Sequence, residues 1–242
     1  MSLLRIATTQ MPCSWNLPDN LDRAEQLVRQ AAAQGAQVIL LQELFATPYF
    51  CIEQDHRHQA LAEPYADSPI LQRFAALAGE LGVVLPLSWY ERAGNAFFNS
   101  LTVADADGRL LGIYRKTHIP NAIGSEPGAA ELDSRDHWQV AMRGHAAANL
   151  LPVVAANRVG EEVAGSDQTL SMRFYGSSFI CDHKGALLAE ADRSSTGIWL
   201  HDLDLARMRE DRLSWGIYRD RRPEMYAPLL TLDGHHSHLA RA

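Results

Sequence analysis

The sequence predicts a mixed α/β domain, and three observations support that class. Segments rich in aliphatic and β-branched residues alternate with segments whose apolar residues recur at helical spacing. Several strand-like runs are apolar throughout, which is typical of strands covered on both faces. The chain has 242 residues and 47% hydrophobic content, which suffices for one large packed core. We therefore predict a single domain over residues 1–242.

The first part of the chain is predicted to run strand, helix, strand, helix, strand. Apolar side chains recur at helical spacing in residues 20–34 and 69–81, and each segment ends at a glycine, Gly35 or Gly82. The three strand-like segments around these helices are residues 4–9, 38–44 and 83–87.

Two hairpins and one helix are predicted in the rest of the chain. In the first hairpin the turn Asp105-Ala106-Asp107-Gly108 places a glycine where a positive φ is favoured. The turn Asp182-His183-Lys184-Gly185 marks the second hairpin. A helix over residues 136–150 cannot continue through Pro152. The predicted strands are residues 96–104, 110–114, 153–158, 177–181, 186–189 and 198–203.

The composition argues against several classes of function. The net charge is -7, from 22 basic and 29 acidic residues without a basic run, which disfavours a nucleic-acid-binding surface. A cationic small-molecule substrate is compatible with that charge. The N-terminus has no apolar signal core, and no apolar run approaches the roughly 18 residues needed to span a bilayer. We expect a soluble, cytoplasmic protein without nucleic-acid or membrane partners.

Metal binding is not expected either. Cys13, Cys51 and Cys181 are widely spaced and form no CxxC pair, so reduced thiols are predicted rather than a zinc site or disulfides. His235, His236 and His238 cluster near the C-terminus. A chain-terminal stretch lacks the fixed scaffold that a metal site needs, so we predict a disordered tail there.

Two charged residues, Glu43 and Lys116, each follow an apolar run. An unpaired carboxylate after Val38-Ile39-Leu40-Leu41 is costly to bury, so Glu43 should meet a partner or perform chemistry. Lys116, after the strand over residues 110–114, is the candidate partner. From the residues alone, two alternatives stay open. Glu43 is, in the first alternative, a partly exposed carboxylate at a strand end. Lys116 is, in the second, an ordinary basic residue at a strand end beside Arg115.

The segments VILLQELF and YRKTHIP, with TTQM, GSSFI and WGIYRDRRPEMY, resemble the nitrilase superfamily of carbon-nitrogen hydrolases. The resemblance covers nearly the whole chain and is strongest to the N-carbamoylputrescine amidases. It implies an α-β-β-α sandwich and a catalytic glutamate, lysine and cysteine, of which Glu43 and Lys116 match the first two. It also implies a small-molecule carbamoyl or amide substrate and, for these amidases, hydrolysis of N-carbamoylputrescine to putrescine, carbon dioxide and ammonia in polyamine biosynthesis. No cofactor is implied, and assembly into homo-oligomers is expected.

The family's cysteine has no counterpart in this chain. The resemblance places it between the lysine strand and the AIGSEP segment, yet Pro120 runs through Asn121 directly into Ala122. We predict an internal gap near residues 120–122 that removes the nucleophile, part of the central sheet and one helix. A hairpin plus a strand-helix-strand unit amounts to on the order of 50 residues. Little hydrolysis, reduced stability and association through exposed sheet edges are therefore expected.

Two other interpretations of the gap remain open. In the first, the chain is a non-catalytic subunit or regulatory remnant that associates with an intact homologue. In the second, the gap is an artefact of the gene sequence. Cys181, in Phe179-Ile180-Cys181-Asp182, superficially resembles the nucleophile motif, but turn residues follow it, so we reject it. Cys51 is a minor candidate for a substitute nucleophile.

The resemblance also suggests two substrate-binding residues. Tyr49, in the loop after Glu43, is predicted to line the pocket, with a core or surface aromatic as the alternative. Glu126 is predicted to meet the distal ammonium of a diamine, because such a site needs negative charge at one end. A solvated loop carboxylate is the alternative for Glu126.

Overall fold

The computed structural model describes residues 3–53, 55–119, 133–165 and 170–234. The chain divides into two compact units, Met1–Leu205 and Ala206–Ala242. The first unit contains all the strands of the described chain, and both predicted catalytic residues lie in it. The prediction of one domain over residues 1–242 stays a prediction.

The first unit alternates strands and helices, as the sequence predicts for an α/β fold. Its elements are β1 (Leu3–Met11), α1 (Leu17–Ala33), β2 (Val38–Leu40), α2 (Pro69–Leu81), β3 (Leu85–Ala93), β4 (Ala96–Ala104), β5 (Tyr114–Arg115), α3 (Arg135–Asn149), β6 (Val153–Ala155), β7 (Asn157–Val163), β8 (Ser171–Tyr175), β9 (Phe179–Cys181), β10 (Leu187–Glu190) and β11 (Gly197–Asp204).

Strand β1 is central to the first unit. It pairs antiparallel with β11 and parallel with β2 and with the start of β7, while β7 pairs antiparallel with β8. Strands β3, β4 and β5 form an antiparallel sheet, and a parallel bridge between Val38 and Val84 links β2 to the residue before β3. Strands β10, β9 and β6 form a further antiparallel sheet.

The layers follow from which faces are apolar. Helices α1 and α2 bury Val28 and Phe74 against a core that also contains Ile39 and Leu85. Helix α3 packs on β9, where the ring of Trp138 meets that of Phe179 edge-on at 5.3 Å. The hydroxyl of Thr8 on β1 donates to the carbonyl of Ala155 on β6 at 2.9 Å, joining the two sheet layers. This order of helices, sheet, sheet and helix confirms the predicted α-β-β-α class.

Helix α2 matches the prediction at both ends. The Ser68 hydroxyl caps its N-terminus by accepting from the Leu71 amide at 3.1 Å, and Pro69 occupies the first turn. Gly82 ends the helix with a φ of 65°. These signals are local, so the sequence could supply them.

Several predicted boundaries are wrong. The strand predicted over residues 38–44 ends at Leu40, and the strand predicted over residues 153–158 is interrupted at Ala156 between β6 and β7. The hairpin strand predicted over residues 110–114 is shorter in the structure, where only an isolated bridge at Leu110 and the two-residue strand β5 are present. Strand β8 was not predicted. Its pairing with β7 is a tertiary contact that local apolar periodicity does not encode.

The second unit contains most of helix α4 (Leu205–Trp215) and short 3-10 turns over Pro223–Met225 and Ala227–Leu230. Helix α4 was not predicted, because it buries no residue and has no apolar stripe. The large exposed apolar residues of this unit are Leu213, Trp215, Met225, Tyr226, Leu229, Leu230 and Leu232. Across the described ranges, no helix is long and apolar enough to cross a membrane. The predicted histidine tail lies outside the described residues.

Candidate active site

Glu43 lies in a turn after β2 rather than in a strand. The next residue, Leu44, has a φ of 51°, a left-handed conformation that costs a non-glycine residue about 1–2 kcal/mol. Its amide donates to the Ser88 hydroxyl at 3.2 Å, and its side chain is buried. The Glu43 side chain, by contrast, is 52% exposed. The turn therefore directs Leu44 into the core and leaves the Glu43 carboxylate at the surface.

Lys116 meets Glu43 across the sheet. Its ammonium Nζ donates to Glu43 Oε1 at 2.8 Å, and its backbone amide donates to the carbonyl of Asn99 on β4 at 2.8 Å. The Asn99 side-chain amide donates to the same Glu43 oxygen at 2.5 Å. The structure thus brings the two predicted catalytic residues together. Their catalytic roles stay predictions.

Arg115, next to Lys116, has a different partner. Its Nε and Nη2 donate to the two carboxylate oxygens of Glu91 at 2.9 and 2.7 Å. Glu91 is 2% exposed and also accepts from the Ser100 hydroxyl at 2.6 Å. The hydrogen bonds from Arg115 hold the pKa of Glu91 below its ordinary value. Because side chains alternate along a strand, Arg115 anchors β5 while Lys116 reaches Glu43.

Tyr49 lies near this pair, as predicted for a pocket residue. Its half-buried ring meets the ring of Phe174 edge-on at 5.7 Å. Burial raises the pKa of Tyr49, and the negative charge of Glu43 raises it further. Tyr49 is therefore within electrostatic reach of Glu43. Its role in substrate binding stays a prediction.

The three cysteines occupy different environments. Cys51 is exposed, yet the surrounding protein raises its thiol pKa and the Glu43 charge adds to that increase. Burial raises the pKa of Cys13 to about 11, and its thiol donates to the Phe45 carbonyl at 3.3 Å. Cys181 is buried in β9, and the residues after it form a turn. Since the thiolate is the reactive form, none of these environments activates a nucleophile.

One predicted site residue and the predicted gap fall outside the described residues. The residue is Glu126, and the gap is at the join from Pro120 to Ala122. No group of three or more histidine, cysteine or acidic side chains that could hold a metal ion occurs in the part of the chain that the structure describes.

Sequence reasoning missed three residues around the site. Asn99 contacts Glu43 directly, Arg158 holds the turn that carries Glu43, and Glu162 accepts from the Tyr49 amide in the next segment. A signal for the last two was present, because oppositely charged residues four apart in a strand share one face. For Asn99 the signal was the hairpin register, since β4 pairs with the strand that leads to Lys116.

The α-β-β-α fold, with a glutamate and a lysine joined by a hydrogen bond, is the arrangement that the resemblance to the nitrilase superfamily implies. The sequence matches the carbon-nitrogen hydrolase family over residues 5–133 and 130–213. The chain belongs to this family, which confirms the resemblance drawn from the motifs.

Relatives cover the chain almost completely. N-carbamoylputrescine amidase of Arabidopsis thaliana is 39% identical over 286 aligned positions, which include 95% of this chain and 96% of that protein. Citrullinase of Francisella tularensis is 36% identical, with 93% and 98% covered. The crystal structure of a carbon-nitrogen hydrolase from Helicobacter pylori superposes with a TM-score of 0.84 at 28% identity, covering 96% of this chain and 99% of that one.

Proposed function

We propose that this chain is an N-carbamoylputrescine amidase-like carbon-nitrogen hydrolase by descent that hydrolyses little or no substrate because its nucleophile is absent. The observation that carries the proposal is the Glu43 site. Among the described residues, the carboxylate receives hydrogen bonds from Lys116 and Asn99, and no hydrogen bond joins it to any of the three cysteines.

The chemistry explains what such a site retains. In the family's reaction the glutamate takes the proton of a thiol, and the thiolate attacks the carbonyl carbon. The C–N bond then breaks to release ammonia, and water hydrolyses the acyl-thiol intermediate. Here Lys116 can still donate to a carbonyl oxygen, and removing one such donor costs about 2.7–4 kcal/mol in known cases. Without the thiol, the covalent step itself has no attacking atom.

Two observations support an internal gap as the cause. The alignment with the Arabidopsis thaliana relative is 286 positions long, which exceeds the 242 residues of this chain by 44. In addition, Lys116 and Glu43 keep 39% and 52% of their side-chain surface exposed. A catalytic ion pair needs cover from water, because solvent weakens its electrostatic effect. The exposure is consistent with a missing segment that would cover the pair.

The proposed substrate class is a small compound with a terminal carbamoyl-amine group. The names of two relatives, N-carbamoylputrescine amidase and citrullinase, both refer to compounds that end in this group. The net charge of -7 suits a cationic diamine derivative, with Tyr49 and Glu126 as proposed contacts. The proposal extends to a cytoplasmic setting, a polyamine-biosynthetic origin and a homo-oligomer.

Ammonia release tests the proposal. We would first compare the intact mass with 26.8 kDa and resequence the gene across Pro120 to Ala122, which detects an artefactual gap. Purified protein is then incubated with N-carbamoylputrescine and with citrulline beside the Arabidopsis thaliana relative. We expect at most trace ammonia. Turnover close to that of the relative would refute the inactive assignment, and its loss in Cys51→Ala would identify Cys51 as a substitute nucleophile.

A second candidate function is a non-catalytic subunit that associates with an intact homologue. The observation that favours it is a group of large apolar side chains exposed around Lys116. Its members are Leu111, Ile113, Tyr114 and Ile119. Exposed apolar surface beside a short edge strand favours association. Co-purification with a tagged intact relative supports this function, whereas a monomer with a high, cooperative melting transition argues against it.

A further inference from the structure

A buried ion pair lies behind the Glu43 turn. Arg158 and Glu162 lie four residues apart on β7, with side chains 5% and 0% exposed. The guanidinium Nη1 contacts the two carboxylate oxygens at 2.9 and 3.0 Å. Charges this deeply buried are tolerated only when they are paired and their remaining hydrogen-bonding groups are satisfied. The other partners of this pair therefore show what it stabilises.

The Arg158 guanidinium donates hydrogen bonds to three backbone carbonyls of the Glu43 turn. Arg158 Nη2 donates to the carbonyls of Glu43 and Leu44 at 2.9 and 2.8 Å, and Nη1 donates to that of Thr47 at 2.9 Å. Leu44 is the residue with the strained φ of 51°. Such conformations persist only where the surroundings enforce them. Arg158 supplies that constraint through three hydrogen bonds to one turn.

The carboxylate secures the next segment. Glu162 Oε2 accepts from the Tyr49 backbone amide at 2.5 Å. Tyr49 immediately precedes the 3-10 turn Phe50–Ile52, which carries Cys51. The one ion pair thus holds both the turn that presents Glu43 and the segment that carries Tyr49.

We propose that Arg158 and Glu162 are positioning residues, which fix the backbone of residues 43–49 so that the Glu43 carboxylate meets Lys116 and Tyr49 stays beside it. The inference rests on the proposed function only in taking these three residues as the site. A merely structural ion pair would stabilise the fold without affecting where the Glu43 carboxylate lies. The two roles differ in their effect on a probe near Glu43.

Cys51 serves as that probe, because it is the exposed thiol among the three cysteines. The surrounding protein raises its pKa, the Glu43 charge raises it further, and Arg158 and Lys116 lower it. Alkylation of Cys51 by iodoacetamide, followed by peptide mass spectrometry across a pH series, reports the thiol pKa. Glu43→Gln should shift the profile to lower pH, and the size of that shift measures how close the Glu43 carboxylate lies.

The test measures the same shift in the Arg158→Lys background. Lysine keeps the positive charge but lacks the planar fork that reaches several carbonyls at once. A positioning role predicts that the shift caused by Glu43→Gln shrinks to about half or less, because Coulomb interactions weaken with distance and with exposure to water. Glu162→Gln is the second variant, should Arg158→Lys fail to fold.

The control is Gly185→Ala, which strains a turn between β9 and β10. It should lower the melting temperature without changing the Glu43-dependent shift. If Arg158→Lys or Glu162→Gln also lowers the melting temperature and leaves that shift at its original size, the pair is structural only and the proposal is wrong. Because the assay does not involve hydrolysis, its outcome is independent of whether the chain proves active.

Discussion

The two ion pairs at the site differ sharply in burial, and this difference predicts how much each contributes to stability. Arg158 and Glu162 have side chains that are 5% and 0% exposed, whereas those of Lys116 and Glu43 are 39% and 52% exposed. We compare Arg158→Met with Lys116→Met, since both replace a cation by an unbranched apolar side chain.

The expected losses follow from that exposure. Arg158→Met leaves the Glu162 carboxylate buried without its cation, which typically costs about 3–5 kcal/mol. Lys116→Met removes one member of a solvent-exposed pair, which is worth about 0.2–1 kcal/mol. The double variant Arg158→Met with Glu162→Gln should recover part of the larger loss, because a buried amide is less costly than a buried charge.

Equilibrium urea unfolding, followed by tryptophan fluorescence and circular dichroism, measures both losses. At a slope of about 2–3 kcal/mol per M urea, the Arg158→Met loss lowers the midpoint by about 1–2.5 M and the Lys116→Met loss by about 0.5 M or less. Glu43→Gln completes a double-mutant cycle for the exposed pair. Equal losses in the free energy of unfolding for Arg158→Met and Lys116→Met would contradict the reasoning. A coupling energy above about 2 kcal/mol for the exposed pair would contradict it as well.

Three further outcomes are expected. A thiol reagent should label Cys51 in the native protein and all three cysteines after denaturation, as counted by mass spectrometry. Arg115 holds the folded-state pKa of Glu91 below 4.5, so this carboxylate's contribution to stability is complete above about pH 4.5 and is lost as the pH falls through the lowered value. Acid unfolding monitored by circular dichroism should therefore be less steep in Glu91→Gln, and an unchanged acid limb would count against this. Gly185→Ala should lower the melting temperature, since Gly185 has a φ of 81° and an added methyl would lie 2.8 Å from a backbone carbonyl of α3. Gly144→Ala, at an open position in α3, should raise it and serves as the control.

The sequence by itself determined the elements whose signals are local. Helix α2 was predicted residue for residue, because its apolar side chains recur at helical spacing and a glycine directly follows the last of them. The motif resemblance also singled out Glu43 and Lys116, which are 73 residues apart and meet in the structure. The sequence suggested that the two side chains form a pair, and the folded structure is what brings them within hydrogen-bonding distance.

Only the tertiary structure decided how the site is held. The apolar run over residues 38–44 favours a strand throughout, yet the strand ends at Leu40 because the backbone beyond it is turned and bonded to Arg158, up to 115 residues away. Asn99 likewise reaches Glu43 across 56 residues. Propensity and periodicity report the conformation of neighbouring residues, whereas a buried guanidinium selects one conformation through hydrogen bonds to distant carbonyls. The composition of the site could thus be predicted in part, while its geometry depended on contacts that no local pattern contains.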